Sequence, residues 1–217
     1  MIDNRPLFFD RHMDRAEASG RELGIDIPSR EDILRAISYL ARFPMARLRL
    51  SFGSQFSLSA APYQQKALPL RVQIRDQRLI AGIGSHKKYP YWENLDLVRA
   101  AQFDGFSEVL LIDEWGRVGE GATCNYLFYL DGQWITPPLS VGVLPGVMRS
   151  IALDKGLAIE KELLRSDLPR VKSMVALSSL RIAALVTRLM DRTLDIGMES
   201  ELIFQSLWSE AQSDSVG

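Results

Sequence analysis

Gly116-Arg117-Val118-Gly119-Glu120-Gly121-Ala122-Thr123-Cys124-Asn125 is the stretch on which the reading of this chain turns. A carboxylate set between two glycines, with a short small-residue run leading out of it, has two readings. It is a plain turn with one exposed acid, or it is an acid held to face a protonated ring nitrogen. Working outward, residues 109–112 form an apolar run that reads as a strand, bounded by the turn Glu114-Trp115-Gly116. Downstream, residues 126–130 and Trp134-Ile135 flank Asp131-Gly132, a strong hairpin signal. Pro137-Pro138 ends the hairpin.

Three further constellations have chemistry in them. Gly142-Val143-Leu144-Pro145-Gly146-Val147-Met148-Arg149 places glycines and a proline ahead of a helix expected to run to Leu153 and stop at Gly156. Free N–H groups and the helix dipole at such a start favour a phosphate, although an ordinary loop-to-helix junction has the same composition. No Gly-Lys-Ser/Thr follows, and no GxGxxG occurs in the chain, so nucleotide-loop readings are weak. Ser178-Ser179-Leu180-Arg181 follows a strand expected over 174–177. Hydroxyls and an arginine there suit a phosphate or carboxylate, or are simply a turn with a surface arginine. His86-Lys87-Lys88 follows the hinge-like Ala81-Gly82-Ile83-Gly84-Ser85. Adjacent lysines are commonly a solvated pair; the functional reading is a Schiff-base lysine, which needs a partly desolvated amine.

The rest of the chain supplies an α+β frame. Residues 12–23 read as a helix with Met13, Ala16, Gly20 and Leu23 on one face and Gly24 as its stop. Ser29 is the expected N-cap of a second helix, with Asp32 three residues on, an apolar stripe of Ile33, Ile37, Leu40 and Ala41, and an end at Pro44. Leu48, Leu50 and Phe52 alternate with Arg47, Arg49 and Ser51, as do Val72 and Ile74 with Arg71, Gln73 and Arg75, so two strands are expected there. Another strand start is read at Leu79-Ile80, and residues 53–65 read as polar and breaker-rich. A helix is expected over Trp92–Phe103, a strand over 158–163, a short helix from Ser166, and a terminal amphipathic helix over 200–211.

The 217 residues carry 26 Lys+Arg against 27 Asp+Glu, a formal net charge of -1, so there is no excess positive charge of the kind nucleic-acid binders use. Ample apolar content argues against disorder. One cysteine excludes an intramolecular disulfide and fits a reducing, cytoplasmic setting; with two histidines it also makes a zinc site improbable. No apolar run approaches the ~20 residues of a membrane span.

In their order along the chain, these constellations resemble the class-IV aminotransferase family, the fold-type IV pyridoxal phosphate enzymes, which includes branched-chain and D-amino-acid aminotransferases and aminodeoxychorismate lyase. The resemblance runs from about residue 6 to about residue 184. Its most specific parts are Glu120 to Asn125 with Leu127-Phe128, then Thr136-Pro137-Pro138, then Leu144 to Arg149, matching Glu-Gly-x-x-x-Asn, Thr-Pro and Leu-x-Gly-x-x-Arg. The resemblance implies a two-domain α+β fold like that of D-amino-acid aminotransferase, with a smaller domain over 1–82, a larger cofactor domain over 83–217, and a cofactor cleft between them. It implies pyridoxal 5'-phosphate as cofactor and an aldimine at Lys87, with Tyr91 and Asn94 following at family-like spacing and Lys88 as the rival one position on. Glu120 matches the acid that pairs with the pyridine nitrogen and keeps the ring an electron sink. Val147 and Met148 match the residues whose backbone N–H groups hold the phosphate, Ser179 a hydroxyl that does so, and Arg15, in His12-Met13-Asp14-Arg15, the phosphate-binding arginine.

The activity so implied is that of a pyridoxal phosphate-dependent aminotransferase acting on an amino acid or amino-containing acid. Aminodeoxychorismate lyase is the alternative, and a degenerate, non-catalytic relative the second. Arg49, which shares a strand face with Arg47, and Arg181 are candidates for a substrate carboxylate. Family members usually carry one or two strands before the segment matching residues 6–15, so the resemblance also implies a chain short at its start, with one side of the substrate pocket open. A homodimer is expected from the same resemblance.

Overall fold

The computed structural model describes residues 1–2, 5–64, 69–77, 86–88 and 90–216. The expected strand start at Leu79-Ile80 and the hinge over 81–85 lie outside the described residues. The chain divides into two compact units, one of Met1–Lys66 with Glu210–Gly217, the other of Ala67–Ser209.

In the first unit, α1 (Phe9–Leu23) ends at Gly24, which takes the left-handed conformation at φ 66°. The second helix, α2 (Arg30–Ser38), is capped by Ser29, whose hydroxyl accepts the backbone N–H of Asp32 at 3.1 Å. It stops before the expected Leu40 and Pro44: Tyr39 N–H donates to the Ala36 carbonyl and Leu40 N–H to that of Ile37, a tightened last turn. Two strands, β1 (Ala46–Ser51) and β2 (Ser57–Pro62), pair antiparallel with Leu50 opposite Leu58. Met13, Ile33 and Ile37 are buried against Phe9, Ile27, Leu48, Leu50 and Leu58, the small core of this unit.

The second unit is one mixed sheet with helices. It comprises β3 (Leu70–Asp76), α3 (Trp92–Phe103), β4 (Glu108–Ile112), β5 (Asn125–Leu130), β6 (Gln133–Thr136), α4 (Val147–Asp154), β7 (Ile159–Glu160), β8 (Ser173–Ser178), β9 (Ile182–Leu189) and β10 (Arg192–Thr193). The last helix, α5 (Met198–Val216), begins in this unit, and its final residues belong to the first. The strand order is β4-β3-β9-β8-β5-β6-β7, with β10 paired to β9. β3 runs parallel to both β4 and β9, while β8, β5 and β6 form antiparallel neighbours. The expected strand over 72–74 is thus the sequence-first strand of the large sheet.

The β5–β6 connection is a two-residue turn in which Asp131 (φ 52°) and Gly132 (φ 83°) both take positive φ, the backbone of the type I′ hairpin. Strands β4, β5 and β8 are buried almost throughout, with Leu110, Ile112, Tyr126, Phe128, Met174 and Ala176 in one cluster. α3 covers the other face of β4, packing Leu97, Val98 and Ala101 on Val109, Leu111 and Ala122. β9 was not anticipated from the sequence, and the strand expected over 158–163 contracts to two residues. Among the described residues, no helix is long and apolar enough to cross a membrane.

Candidate active site

The Gly119–Gly121 segment is not a free loop. It lies along the outer edge of β4, where Gly119 N–H donates to the Leu111 carbonyl at 2.9 Å and Leu111 N–H to the Glu120 carbonyl at 2.8 Å. This pairing fixes the Glu120 backbone to a buried strand. Gly121 is required by close approach: a Cβ there would sit 2.6 Å from Cys124 Sγ and 3.1 Å from the Val109 carbonyl.

The Glu120 side chain is held from two directions. Asn125 Nδ2 donates to Oε2 at 2.9 Å, and the Leu144 backbone N–H donates to the same oxygen at 3.0 Å. Asn125 Nδ2 also reaches the Leu144 carbonyl at 3.0 Å, so one amide ties the acid to the loop ahead of α4. Among the described residues, no hydrogen bond is made by Oε1, which leaves it for a ligand. Burial pushes the carboxyl up to about 8, against the opposing effects of the Leu144 N–H, the Lys87 ammonium and the Arg149 guanidinium.

Gly146, the N-cap of α4, is the other glycine whose place is dictated by contact: a Cβ would meet Asn125 Oδ1 at 2.0 Å. The same asparagine therefore positions Glu120 and sets how close the helix start can come. α4 has no acid in its first turn, and Val147, Met148 and Arg149 are all buried. Arg149 donates to the Pro137 carbonyl at 2.8 Å and pairs with Glu160, locking the end of the hairpin to the helix. Its Nε and the Thr136 hydroxyl, both buried, have no hydrogen-bond partner among the described residues.

Lys87 is exposed, in contrast to the partial desolvation expected of it. Its amine donates to Tyr91 Oη at 3.0 Å and lies 4.5 Å from the centre of that ring, a cation–π contact. Lys88 is also exposed. Asn94, one turn into α3, donates to the Ala122 carbonyl at 2.7 Å and so fastens the helix that follows the lysines to the Glu120 loop.

Ser179 sits in the turn between β8 and β9, half-buried. Arg181, in the same turn, points its guanidinium at Glu108 (3.3 Å) and Thr123 (3.1 Å). Glu120, Lys87, α4 and the Ser179 turn all belong to the second unit, whereas Arg15, on α1, and Arg49, on β1 opposite Ser59, belong to the first. Sequence reasoning assigned no role to Asn125, Glu108 or Thr123. Asn125 was visible as the end of the Glu-Gly-x-x-x-Asn pattern, but Glu108 gave no signal, because an acid at the entry to an apolar strand reads as solvated.

The amino-transferase class IV family model matches residues 1–189. The chain belongs to the class-IV aminotransferase family. This class-IV chain is 30% identical over 182 residues to a Schizosaccharomyces pombe protein assigned as an aminodeoxychorismate lyase, with 77% of each chain covered. Among solved structures it is similar to a hypothetical aminotransferase of Mycobacterium tuberculosis in its α-ketoglutarate and PMP-bound form (TM-score 0.84, 21% identity, 98% of this chain and 87% of that one). It is also similar to a structure from Legionella pneumophila named as a 4-amino-4-deoxychorismate lyase (TM-score 0.83, 19% identity, 99% and 88%). The fold is that of the fold-type IV enzymes, and the class-IV chain is a pyridoxal phosphate-dependent enzyme of the aminotransferase and aminodeoxychorismate lyase group.

Proposed function

We propose that the chain is a pyridoxal phosphate-dependent aminotransferase acting on an amino acid or amino-containing acid, with Lys87 and Glu120 as its catalytic residues. The observation that carries this reading is the setting of Glu120: a poorly solvated carboxyl with two donors on one oxygen, the other oxygen left for a ligand, and Lys87 near enough to act on its charge. Such an acid fits a protonated pyridine nitrogen, and the acid-free, glycine-led start of α4 fits a phosphate. When bound, pyridoxal phosphate supplies an electron sink for the bonds at the substrate α-carbon.

The protein's own residues then have defined tasks. Lys87 Nζ would hold the cofactor and would move a proton as base and then acid, with Tyr91 Oη orienting the amine. Glu120 Oε1 would face the ring nitrogen and keep it protonated. The backbone N–H groups of Val147 and Met148, the Ser179 hydroxyl and Arg15 hold the phosphate. Arg49 and Arg181 are proposed for a substrate carboxylate; Arg181 also pairs with Glu108. The same reading takes the enzyme as a cytoplasmic homodimer of two domains, 1–82 and 83–217; its single thiol, Cys124, accords with a reducing compartment.

The test is an absorption spectrum of the purified protein with added pyridoxal phosphate. A visible band lost on borohydride reduction is expected, absent in Lys87→Ala and retained in Lys88→Ala. No band in the wild-type protein overturns the reading; a band lost only in Lys88→Ala moves the attachment by one residue. The likeness to the Schizosaccharomyces pombe protein favours a second reading, aminodeoxychorismate lyase. Turnover of aminodeoxychorismate without a keto-acid acceptor would establish it, and acceptor-dependent turnover of branched-chain amino acids would establish the first.

A further inference from the structure

Glu108 is fully buried at the first position of β4, and its carboxylate is committed on both oxygens. Oε1 accepts the Val109 backbone N–H at 3.0 Å. Oε2 accepts from the Thr123 hydroxyl and from Arg181 Nη1 at 3.3 Å, and Arg181 Nη1 also donates to Thr123 Oγ1 at 3.1 Å. The three side chains form a closed triangle whose corners come from three places in the sequence. Thr123 belongs to the loop that carries Glu120. Arg181 belongs to the turn that carries Ser179. Glu108 belongs to the strand against which the Glu120 backbone is paired.

Two features indicate that this triangle enforces geometry. The Arg181 backbone N–H is held by Ser178 Oγ at 3.1 Å, which fixes the turn internally. The next residue, Ile182, is β-branched yet has φ 58°, a conformation that persists only where its surroundings impose it. A buried carboxylate is a costly anchor, tolerated when an opposite charge and good hydrogen bonds compensate it.

We propose that Glu108 is a positioning residue: through Thr123 and Arg181 it holds the Glu120 loop and the Ser179 turn in one frame, and so sets the grip on the cofactor phosphate. This rests on the reading of Ser179 as a phosphate-holding hydroxyl. It makes Arg181 a structural partner of the cofactor site. The sequence does not display it, because Glu108 and Arg181 are 73 residues apart.

The test compares pyridoxal 5'-phosphate with pyridoxal, which lacks the phosphate, by fluorescence titration of cofactor-stripped protein. In Glu108→Gln, affinity for the phosphate compound is expected to fall about tenfold relative to pyridoxal, as for residues coupled in one network. Adding Glu108→Gln to Ser179→Ala is expected to cause no further loss of that preference. A general weakening of the fold would lower both affinities together. Equal loss for both compounds, no loss, or additive losses in the double variant would overturn the proposal. If Glu108→Gln does not fold, Arg181→Lys, which keeps the charge but loses the fork, is expected to show the same selective loss and is judged by the same outcomes. A wild-type protein with no preference for the phosphate compound would overturn the underlying phosphate reading as well, so the two failures are distinct.

Discussion

At Glu120, burial and hydrogen bonding pull in opposite directions, and burial prevails: the carboxyl is pushed from its ordinary 4.5 up to about 8. The sign of the consequence follows. Between these values the folded chain keeps a proton that the unfolded chain releases, so stability from this group is full below about pH 4.5 and is lost as the pH rises toward 8. In cofactor-free protein, the melting temperature of the wild type should therefore decline over this window more steeply than that of Glu120→Gln. Parallel melting curves for the two proteins from pH 5 to pH 8 would remove the assigned environment of Glu120. The acid itself was legible, because two flanking glycines in a loop are an unusual setting for a carboxylate. Its partner Asn125 was legible only as a spacing. That one amide serves both Glu120 and the start of α4 depends on Gly146 standing across from it, a contact no local pattern encodes.

Elements whose signal is local were readable, and those whose signal is tertiary were not. The Ser29 cap, the Asp131-Gly132 turn and the extent of α3 follow from residues within a few positions of each other. β2, with the sequence Ser-Leu-Ser-Ala-Ala-Pro, has little apolar alternation; it forms because its backbone pairs with β1 across the whole of that strand. β9 is buried on both faces near its start, so Ile182, Ala183 and Ala184 show no period of two, and two successive alanines read as helix formers. The Ser29 cap allows a contrast between elements: Ser29→Ala is expected to cost about 1 kcal/mol of stability, measured by urea unfolding. Pyridoxal phosphate affinity should change much less than in Glu108→Gln, since the Ser29 hydroxyl bonds to Asp32 within its own helix turn and to none of the residues proposed to hold the cofactor. A loss smaller than about 0.3 kcal/mol would mean that the hydroxyl does not contribute as a cap.

For the whole chain, the single cysteine is a built-in reporter. Cys124 is buried between the Glu120 loop and β5, and burial pushes its thiol well above the ordinary range. Alkylation at pH 8 is therefore expected to be slow in the native state, to accelerate in denaturant in step with unfolding of the second unit, and to be slowed further by bound cofactor. Fast labelling of the native protein would contradict this burial. The same scale sets the limit of sequence reading. The compact units separate between 66 and 67, with the last eight residues in the first unit, whereas a division near residue 82 is what the resemblance implies. Long-range pairing of β3 with β9, and of Glu108 with Arg181, decides such matters.

The place of β9 has a consequence for synthesis. It is inserted between β3 and β8, so the strand that joins the two sides of the large sheet leaves the ribosome after the strands it joins. Until residue 189 has emerged, β3 and β4 have no bridge to β5 and β8, and the edge of β3 awaits a strand partner more than 100 residues away. The nascent chain is thus exposed to aggregation from the emergence of β3 until that of β9, and dependence on holding chaperones should reside in the segment from β3 to β8.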